Sequence, residues 1–277
     1  MTGLNVPSWA AVAASALLVV VAAAVAYRQQ LHLTRELLVA AARAAIQLIT
    51  VGAVLLVVFA RAGTPGALGW VAGMVIIAGQ VAARHGRRLP KARRIATIAI
   101  AASSAITLGA LLALRVISPQ SRVVIPVGGM IVSGAMVATG LALRRIQEDA
   151  ENARAAIEAR LCLGLSAREA FLPHRRSAMR TALQPAIDST KVVGLISLPG
   201  AMTGLILAGV DPLTAIRHQI VVMYMLLAAT AVAALVAARL AERALFDTAH
   251  RLVVLERQPT WGPLSQTFVP VARRRIR

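Results

Sequence analysis

The stretch AIDSTKVVGLISLPGAMTGLILAGVDPLTAIRHQIVVMYMLL, residues 186–227, decides the fold of this chain. It holds two apolar runs joined by one short polar turn, residues 209–212. Each run is close to the ~20 residues that an α-helix needs to cross ~30 Å of hydrocarbon. We therefore predict two membrane-spanning helices with a tight turn between them.

The first of these two runs is interrupted near its middle by a proline and a glycine. Pro199 cannot donate a hydrogen bond to the carbonyl of Leu195, so we predict a kinked helix at this point. Gly200 and Gly204 form a small-xxx-small pair, which lets another helix backbone approach closely. The pattern indicates a cavity or a moving joint inside the membrane. A kink that serves packing alone is the simpler alternative.

The same stretch carries a family resemblance in four segments. These segments resemble the signature of the FetB family, which contains bacterial iron-export permeases and plant aluminium-tolerance permeases. Members of that family resemble the membrane subunits of ABC transporters. The resemblance therefore implies two permease copies, forming a homodimer, with two separate ATPase chains, and it implies metal export, iron first. The segments are residues 188–191, residues 194–204, residues 208–212 and residues 219–220.

Composition independently indicates a polytopic helical membrane protein. The 277 residues are 58% hydrophobic and 15% charged, with a mean hydropathy of +0.73, whereas soluble domains have about a quarter charged residues. The net charge of +19 would suit a nucleic-acid partner. We exclude that partner because the charges lie between apolar runs. The single cysteine, Cys162, excludes a disulfide within one chain.

Seven apolar runs predict an all-α domain with about seven membrane spans over residues 1–258. A cytoplasmic segment at 144–187 separates the fifth span from the sixth. The tail 259–277 is rich in proline and arginine, and we expect it to be disordered and attracted to anionic lipid headgroups. The predicted spans are approximately 9–27, 37–60, 66–83, 95–114, 123–143, 188–209 and 215–238.

The distribution of lysine and arginine predicts the orientation in the membrane. The connections on one side carry 25 of these residues, and the connections on the other side carry 3. Because cytoplasmic loops are the basic ones, we predict an external N-terminus, a cytoplasmic C-terminus and a multi-pass protein of the cell membrane.

The second predicted span carries polar residues on one helical face. Glu36, Arg43 and Thr50 recur every seven residues, and Gln47 follows Arg43 by one turn. A face of this kind is tolerated where it lines a wet cavity. Arg43 can instead extend along the lipid to the headgroups, and that alternative stays open. The resemblance extends to Arg43 and Gln47, and we assign both to the translocation path.

The segment 144–187 is predicted to bind the ATPase. An amphipathic helix with apolar residues at spacings of three and four runs through its first half. Gly164 then ends that helix, and Ser166 with Glu169 forms a capping box that starts a new one. We predict that the new helix covers 167–172 and stops at Pro173. A helix lying on the lipid surface is the alternative.

This region also resembles the EAA-type loop of ABC importer permeases. Glu158-Ala159-Arg160 is followed after three residues by Gly164, with Arg160 in place of the second alanine. In that family the short helix after the glycine docks into a groove on the ATPase. The resemblance therefore implies a coupling role for a set of six residues. These are Glu158, Ala159, Gly164, Ser166, Glu169 and Phe171.

The sequence contains no site for its own ATP hydrolysis. The phosphate-binding pattern G-x-x-x-x-G-K-[ST] is absent, and no residue set suits catalysis or a cofactor. We therefore predict a transport subunit that is not an enzyme. The rival is a secondary transporter driven by an ion gradient. It is disfavoured because none of the eleven acidic residues lies deep within a predicted span.

The substrate is less well defined by the residues. Iron prefers carboxylate or imidazole ligands, and the predicted spans offer no buried carboxylate. Met202 and other methionines are more often packing residues, so we assign no metal ligand. A chelated metal or an organic solute, such as a nucleotide sugar, stays open. Together with Arg43 and Gln47, six further residues are assigned to the translocation path. They are Asp188, Lys191, Leu195, Pro199, Gly200 and Met202.

Overall fold

The computed structural model describes residues 8–30, 34–61, 63–247, 249 and 251–255, so the predicted tail lies outside the described residues. Nine α-helices make up almost all of this part, with a 3-10 turn at Arg84–Gly86 between the third and the fourth. They are α1 Trp9–Arg28, α2 Thr34–Arg61, α3 Gly63–Ala83, α4 Ala92–Ala113, α5 Ser121–Asn152, α6 Arg154–Cys162, α7 Ala167–Val192, α8 Gly200–Leu207 and α9 Pro212–Leu245.

The prediction of an all-helical membrane protein is confirmed. Within the described residues, five helices are long and apolar enough to cross a membrane, and no strand longer than an isolated bridge occurs. The count of seven spans and the orientation of the termini stay predictions. The five helices are Ala10–Arg28, Gly63–Gly86, Ala92–Ala113, Ser121–Asn152 and Pro212–Leu245.

Helix α5 is the centre of the packed core. It contacts α3, α4, α7 and α9 along its length. The interfaces with α4 and α9 are built largely from alanines, including Ala99, Ala138 and Ala234, each almost completely buried. At Gly128 a Cβ atom would lie 2.6 Å from Val71 Cγ2, so the α3–α5 contact needs glycine there. Small residues bring these helices close together, as is usual where helices pack inside a bilayer.

Helices α1 and α2 pack beside this core. They contact each other, and α2 contacts α3. Most of the described side chains of α2 are exposed, including Arg43, Gln47 and Thr50. The Thr50 hydroxyl donates to the Ile46 carbonyl of its own helix at 2.8 Å. The predicted polar face of α2 therefore faces outward from this chain.

Helix α7 is much longer than the sequence predicted. The predicted stop at Pro173 is wrong, because α7 runs through both Pro173 and Pro185 and ends at Val192. Prolines interrupt single hydrogen bonds of a helix, but here one face of α7 is held against α5 and α9. Phe171, Ala178 and Ala182 are buried on that face. Tertiary packing outweighs the local cost of the two prolines.

The predicted sixth span is broken rather than kinked. Helix α7 ends at Val192, residues 193–199 are not helical, and α8 covers only Gly200–Leu207. Eight helical residues extend about 12 Å, which is too short to cross the hydrocarbon. The predicted kink at Pro199 is therefore wrong in form. Pro199 lies before α8, as its N-cap residue.

The predicted turn between α8 and α9 is confirmed. The Asp211 side chain accepts from the backbone N–H groups of Leu213 at 3.0 Å and Thr214 at 3.2 Å. Pro212 occupies the first helical position of α9, where its missing N–H has no cost. An aspartate followed by proline therefore begins the longest helix of the molecule.

Candidate functional site

The seven residues between α7 and α8, which we call the break, are shaped by one glycine. Gly194 has a φ of +81°, in the left-handed region that favours glycine. The last carbonyl of α7, on Val192, accepts from the N–H groups of Ile196 at 3.0 Å and Leu195 at 3.3 Å. The Gly194 N–H in turn donates to the Ser197 carbonyl at 2.9 Å. The break is a compact turn closed by its own backbone.

Apolar side chains of the break face outward. Leu195 is 88% exposed and Ile196 is 83% exposed. Among the described residues no donor bonds to the Leu195 carbonyl, as the sequence predicted, but the cause is the break and not a kink. Pro199 then starts α8, and the Thr203 hydroxyl donates to the Pro199 carbonyl at 3.2 Å. The break thus presents apolar surface and free backbone at one place.

A cavity of about 380 Å³ lies beside the break. It is formed by the end of α7, the break, α8 and the first turns of α9. Its lining contains aliphatic residues and two methionines, with neither a carboxylate, an imidazole nor a basic side chain. The residues other than aliphatic ones are Thr190, Gly194, Met202, Gln219, Met223 and Tyr224.

Gln219 is the unusual member of this lining. It is 5% exposed, and its Oε1 atom has no hydrogen-bond partner among the described residues. Nearby, the Thr190 hydroxyl already donates to the Ala186 carbonyl at 2.7 Å. Buried side-chain amides normally find partners. Sequence reasoning included Gln219 in the family signature but did not place it in the path. The available signal was a lone amide one turn before Met223 in an apolar run.

The other predicted path residues lie partly around this cavity. Asp188 and Lys191 form an exposed ion pair at 3.3 Å, near the end of α7. Among the predicted path residues, Met202 lines the cavity directly, whereas Leu195, Pro199 and Gly200 do not. Gly194 and Leu198, which the sequence did not assign to the path, form the side of the cavity that belongs to the break. Arg43 and Gln47 are not among the lining residues. Their place in the path therefore stays a prediction.

The predicted packing role of the α8 glycines has no counterpart within this chain. A Cβ atom at Gly200 or Gly204 would have no neighbour within 4 Å in the described part. Helix α8 packs mainly against α9. A close approach by a second copy of the chain stays a prediction.

The corner between α6 and α7, residues 162–169, confirms the predicted glycine turn and capping box. Gly164 has a φ of +85°. The Gly164 N–H donates to the Leu161 carbonyl at 3.0 Å, and the Leu165 N–H donates to the Arg160 carbonyl at 3.2 Å. These two hydrogen bonds are the usual pattern at a helix that ends in glycine. Ser166 and Glu169 cap α7 reciprocally. The Ser166 hydroxyl and backbone N–H hold the pKa of the Glu169 carboxyl below its ordinary value.

The predicted coupling residues divide into exposed and buried ones. Glu158 pairs with Arg154 at 2.7 Å, and Ala159 is exposed. Phe171 is fully buried, so it does not contact an ATPase directly in this conformation, and its coupling role stays a prediction. The corner exposes two leucine side chains, Leu163 at 82% and Leu165 at 41%.

Phe171 instead connects the corner to the rest of the molecule. Its ring packs edge-on against Phe246, just beyond α9, with centroids 6.0 Å apart. One turn later the largely buried side chains of Arg175 and Glu242 pair at 2.7 Å between α7 and α9. Helix α7 therefore links the corner at its first residue to the break at its last.

A resident metal site is not built by the described residues. Among them no group of three or more histidine, cysteine, aspartate or glutamate side chains could hold a metal ion. This agrees with the neutral lining of the cavity. A transported metal would have to be bound in another way.

The five long apolar helices and the alanine-rich core define a multi-pass helical protein of the cell membrane. The chain belongs to the uncharacterised protein family UPF0014, whose sequence profile matches residues 9–246. No solved structure matches the chain.

Named relatives lie in plants and bacteria. The rice protein "UPF0014 membrane protein STAR2" is 41% identical over 87% of this chain and 84% of its own length. "Protein ALUMINUM SENSITIVE 3" of Arabidopsis thaliana is 36% identical over 87% of this chain and 88% of its own length. "Probable iron export permease protein FetB" of Escherichia coli K12 is 37% identical over 87% and 93%. The resemblance to the FetB family is therefore confirmed.

Proposed function

We propose that this protein is the membrane-spanning permease subunit of an ABC transporter and that it exports metal, iron first. The observation that carries the proposal is helix α7, which joins a capped corner outside the apolar core to a broken span beside a cavity. A movement applied at the corner can pass along one continuous helix to the break. Broken helices next to cavities are where many transporters bind their solutes.

The metal assignment rests on the name of the Escherichia coli relative, "Probable iron export permease protein FetB". An organic solute is the second candidate, and the neutral lining of the cavity favours it. In both cases the ATP that drives the proposed transport is hydrolysed by a separate ATPase, because this chain carries no phosphate-binding motif. We further propose that two permease copies form the transporter.

The ATPase would bind at the corner. Leu163 and Gly164 lie at its tip, and the Arg160 guanidinium donates to the Ala170 carbonyl at 3.3 Å, which fixes the start of α7. The exposed leucine would fill an apolar groove on the ATPase. The capping box would keep α7 from fraying when the ATPase pulls on it.

Co-purification with the ABC ATPase of the same organism tests this proposal. Leu163→Asp should abolish association, since the leucine is 82% exposed, while thermal stability should stay within ~0.5 kcal/mol of wild type. Leu114→Asp is the matched control, because that leucine is 74% exposed at the end of α4 and belongs neither to the corner nor to the path. The control should bind the ATPase normally. Equal binding of all three proteins would contradict docking at the corner.

A further inference from the structure

We propose that the cavity beside the break binds an uncharged organic group through the amide of Gln219. The group belongs either to a free organic solute or to the organic shell of a chelated metal, and a bare iron cation does not bind there. This inference rests on the proposed transport function and defines its substrate. It goes beyond that function because it assigns a site, a residue and a chemical class.

Gln219 carries an amide oxygen without a hydrogen-bond partner in the described part of the chain. A buried side-chain oxygen without a partner is destabilising, and Gln219 is only 5% exposed with an unpartnered Oε1. A leucine would fill similar space without that cost. Gln219 lines the cavity, but its Oε1 atom is itself buried. The residue makes physical sense if its amide turns toward the adjoining cavity when a ligand there donates a hydrogen bond to it. A few well-placed polar groups in an apolar cavity are the usual means of orienting a small molecule.

The rest of the cavity lining is uncharged. Ferrous and ferric iron need hard oxygen or nitrogen ligands, yet the cavity offers no carboxylate or imidazole. A buried charge without a counter-charge is also strongly disfavoured. The thioethers of Met202 and Met223 and the aliphatic residues around them are adaptable apolar surfaces. This chemistry suits an organic surface.

The size and the position of the cavity also suit a small organic molecule. The cavity volume of about 380 Å³ lies in the ~300–1,000 Å³ range of small-molecule sites. Gly194 and Leu198 belong to the break and also line the cavity. A change in the break therefore changes the shape of the cavity. Binding and movement of α7 are coupled at one place, as a transport site requires.

The test measures ATP hydrolysis by the assembled permease–ATPase complex in lipid nanodiscs. Three probes are compared: neutral iron(III) tris-acetohydroxamate, acetohydroxamic acid without metal, and ferrous iron alone. The hydroxamate, free or as its iron chelate, should stimulate hydrolysis. In Gln219→Leu the concentration for half-maximal stimulation should rise about tenfold, the effect of one lost hydrogen bond. The melting temperature should not fall, because an unpaired amide is removed.

The matched control is Gln80→Leu, which removes an exposed amide on α3 and should leave the stimulation as in wild type. Stimulation by the chelate alone identifies a chelated metal, and stimulation by the free hydroxamate identifies an organic solute. Stimulation by ferrous iron alone, by none of the probes, or equally in wild type and Gln219→Leu would overturn the inference. Failure of the proposed function is seen separately, as a wild-type permease that does not assemble with the ATPase.

Discussion

The corner and the break are two interruptions of helical structure at opposite ends of α7, and each depends on a glycine with positive φ. The corner is closed by a glycine-ended helix and a capping box, and Phe171 anchors it in the core. Five of the seven residues of the break, 194–198, are exposed, and two of its apolar side chains are more than 80% exposed. The same local device therefore gives a fixed corner at one end and an adaptable segment at the other.

The largest expected difference between the two regions is in their contribution to stability. Phe171→Ala, next to the corner on α7, should lower the free energy of unfolding by about 3–5 kcal/mol, because it empties a fully buried ring site. Leu195→Ala at the break should change it by less than ~0.5 kcal/mol. Thermal unfolding in detergent measures both. Similar losses in the two variants would show that the break is buried in the functional molecule.

The two glycines give the next test. Gly164→Ala and Gly194→Ala each force a side chain into the left-handed region, at a cost of about 1–2 kcal/mol. Neither new Cβ atom meets a neighbour within 4 Å, so the cost is conformational in both. We expect Gly164→Ala to weaken ATPase binding and Gly194→Ala to weaken transport with the ATPase still bound. Co-purification and transport assays measure the two effects. Loss of ATPase binding in Gly194→Ala, with normal binding in Gly164→Ala, would reverse the assignment of the two regions.

The capping box makes the corner sensitive to acid. Since the folded-state pKa of Glu169 is lowered by Ser166, the box stabilises the protein above the ordinary glutamate pKa, and this stability is lost as the pH falls below about 4. Ser166→Ala should cost about 1 kcal/mol at neutral pH, and the difference from wild type should shrink in acid. A difference that stays constant down to pH 3 would show that Glu169 takes no part in the cap.

The smallest expected change in stability is at a third helix end. The end of α4 has the same double hydrogen bonds as the corner, with Arg115 at a φ of +53° in place of glycine. Arg115→Gly should therefore stabilise the protein by about 0.5–1 kcal/mol. Denaturant unfolding measures the change. A destabilised variant would mean that the arginine side chain makes a contact that offsets its backbone strain.

Local signals in the sequence predicted the corner well. Gly164, Ser166 and Glu169 act through hydrogen bonds within a few residues, so their spacing alone identifies the turn and the cap. Pro173 misled the prediction, because packing of α7 against α5 and α9 carries the helix through it. Burial of Phe171 depends on Phe246, which is distant in sequence, and no local pattern indicates such a contact.

The site was predicted less completely. The proline, the glycines and the family signature located the break, but a kink and a break look alike in sequence. The seven non-helical residues follow from the positive φ of Gly194 and the bonds to the Val192 carbonyl. Gln219 lines the cavity only because α9 packs beside the break. Its partnerless oxygen is a property of the packed structure.

Transport into inside-out membrane vesicles tests most directly whether this permease is driven by a separate ATPase. Vesicles would contain the permease, the ATPase or both, and iron would be supplied as the neutral hydroxamate chelate. We predict uptake that requires both chains and ATP and that persists when a protonophore dissipates the proton gradient. Iron uptake by the permease alone, abolished by the protonophore, would contradict the account and identify an ion-coupled transporter.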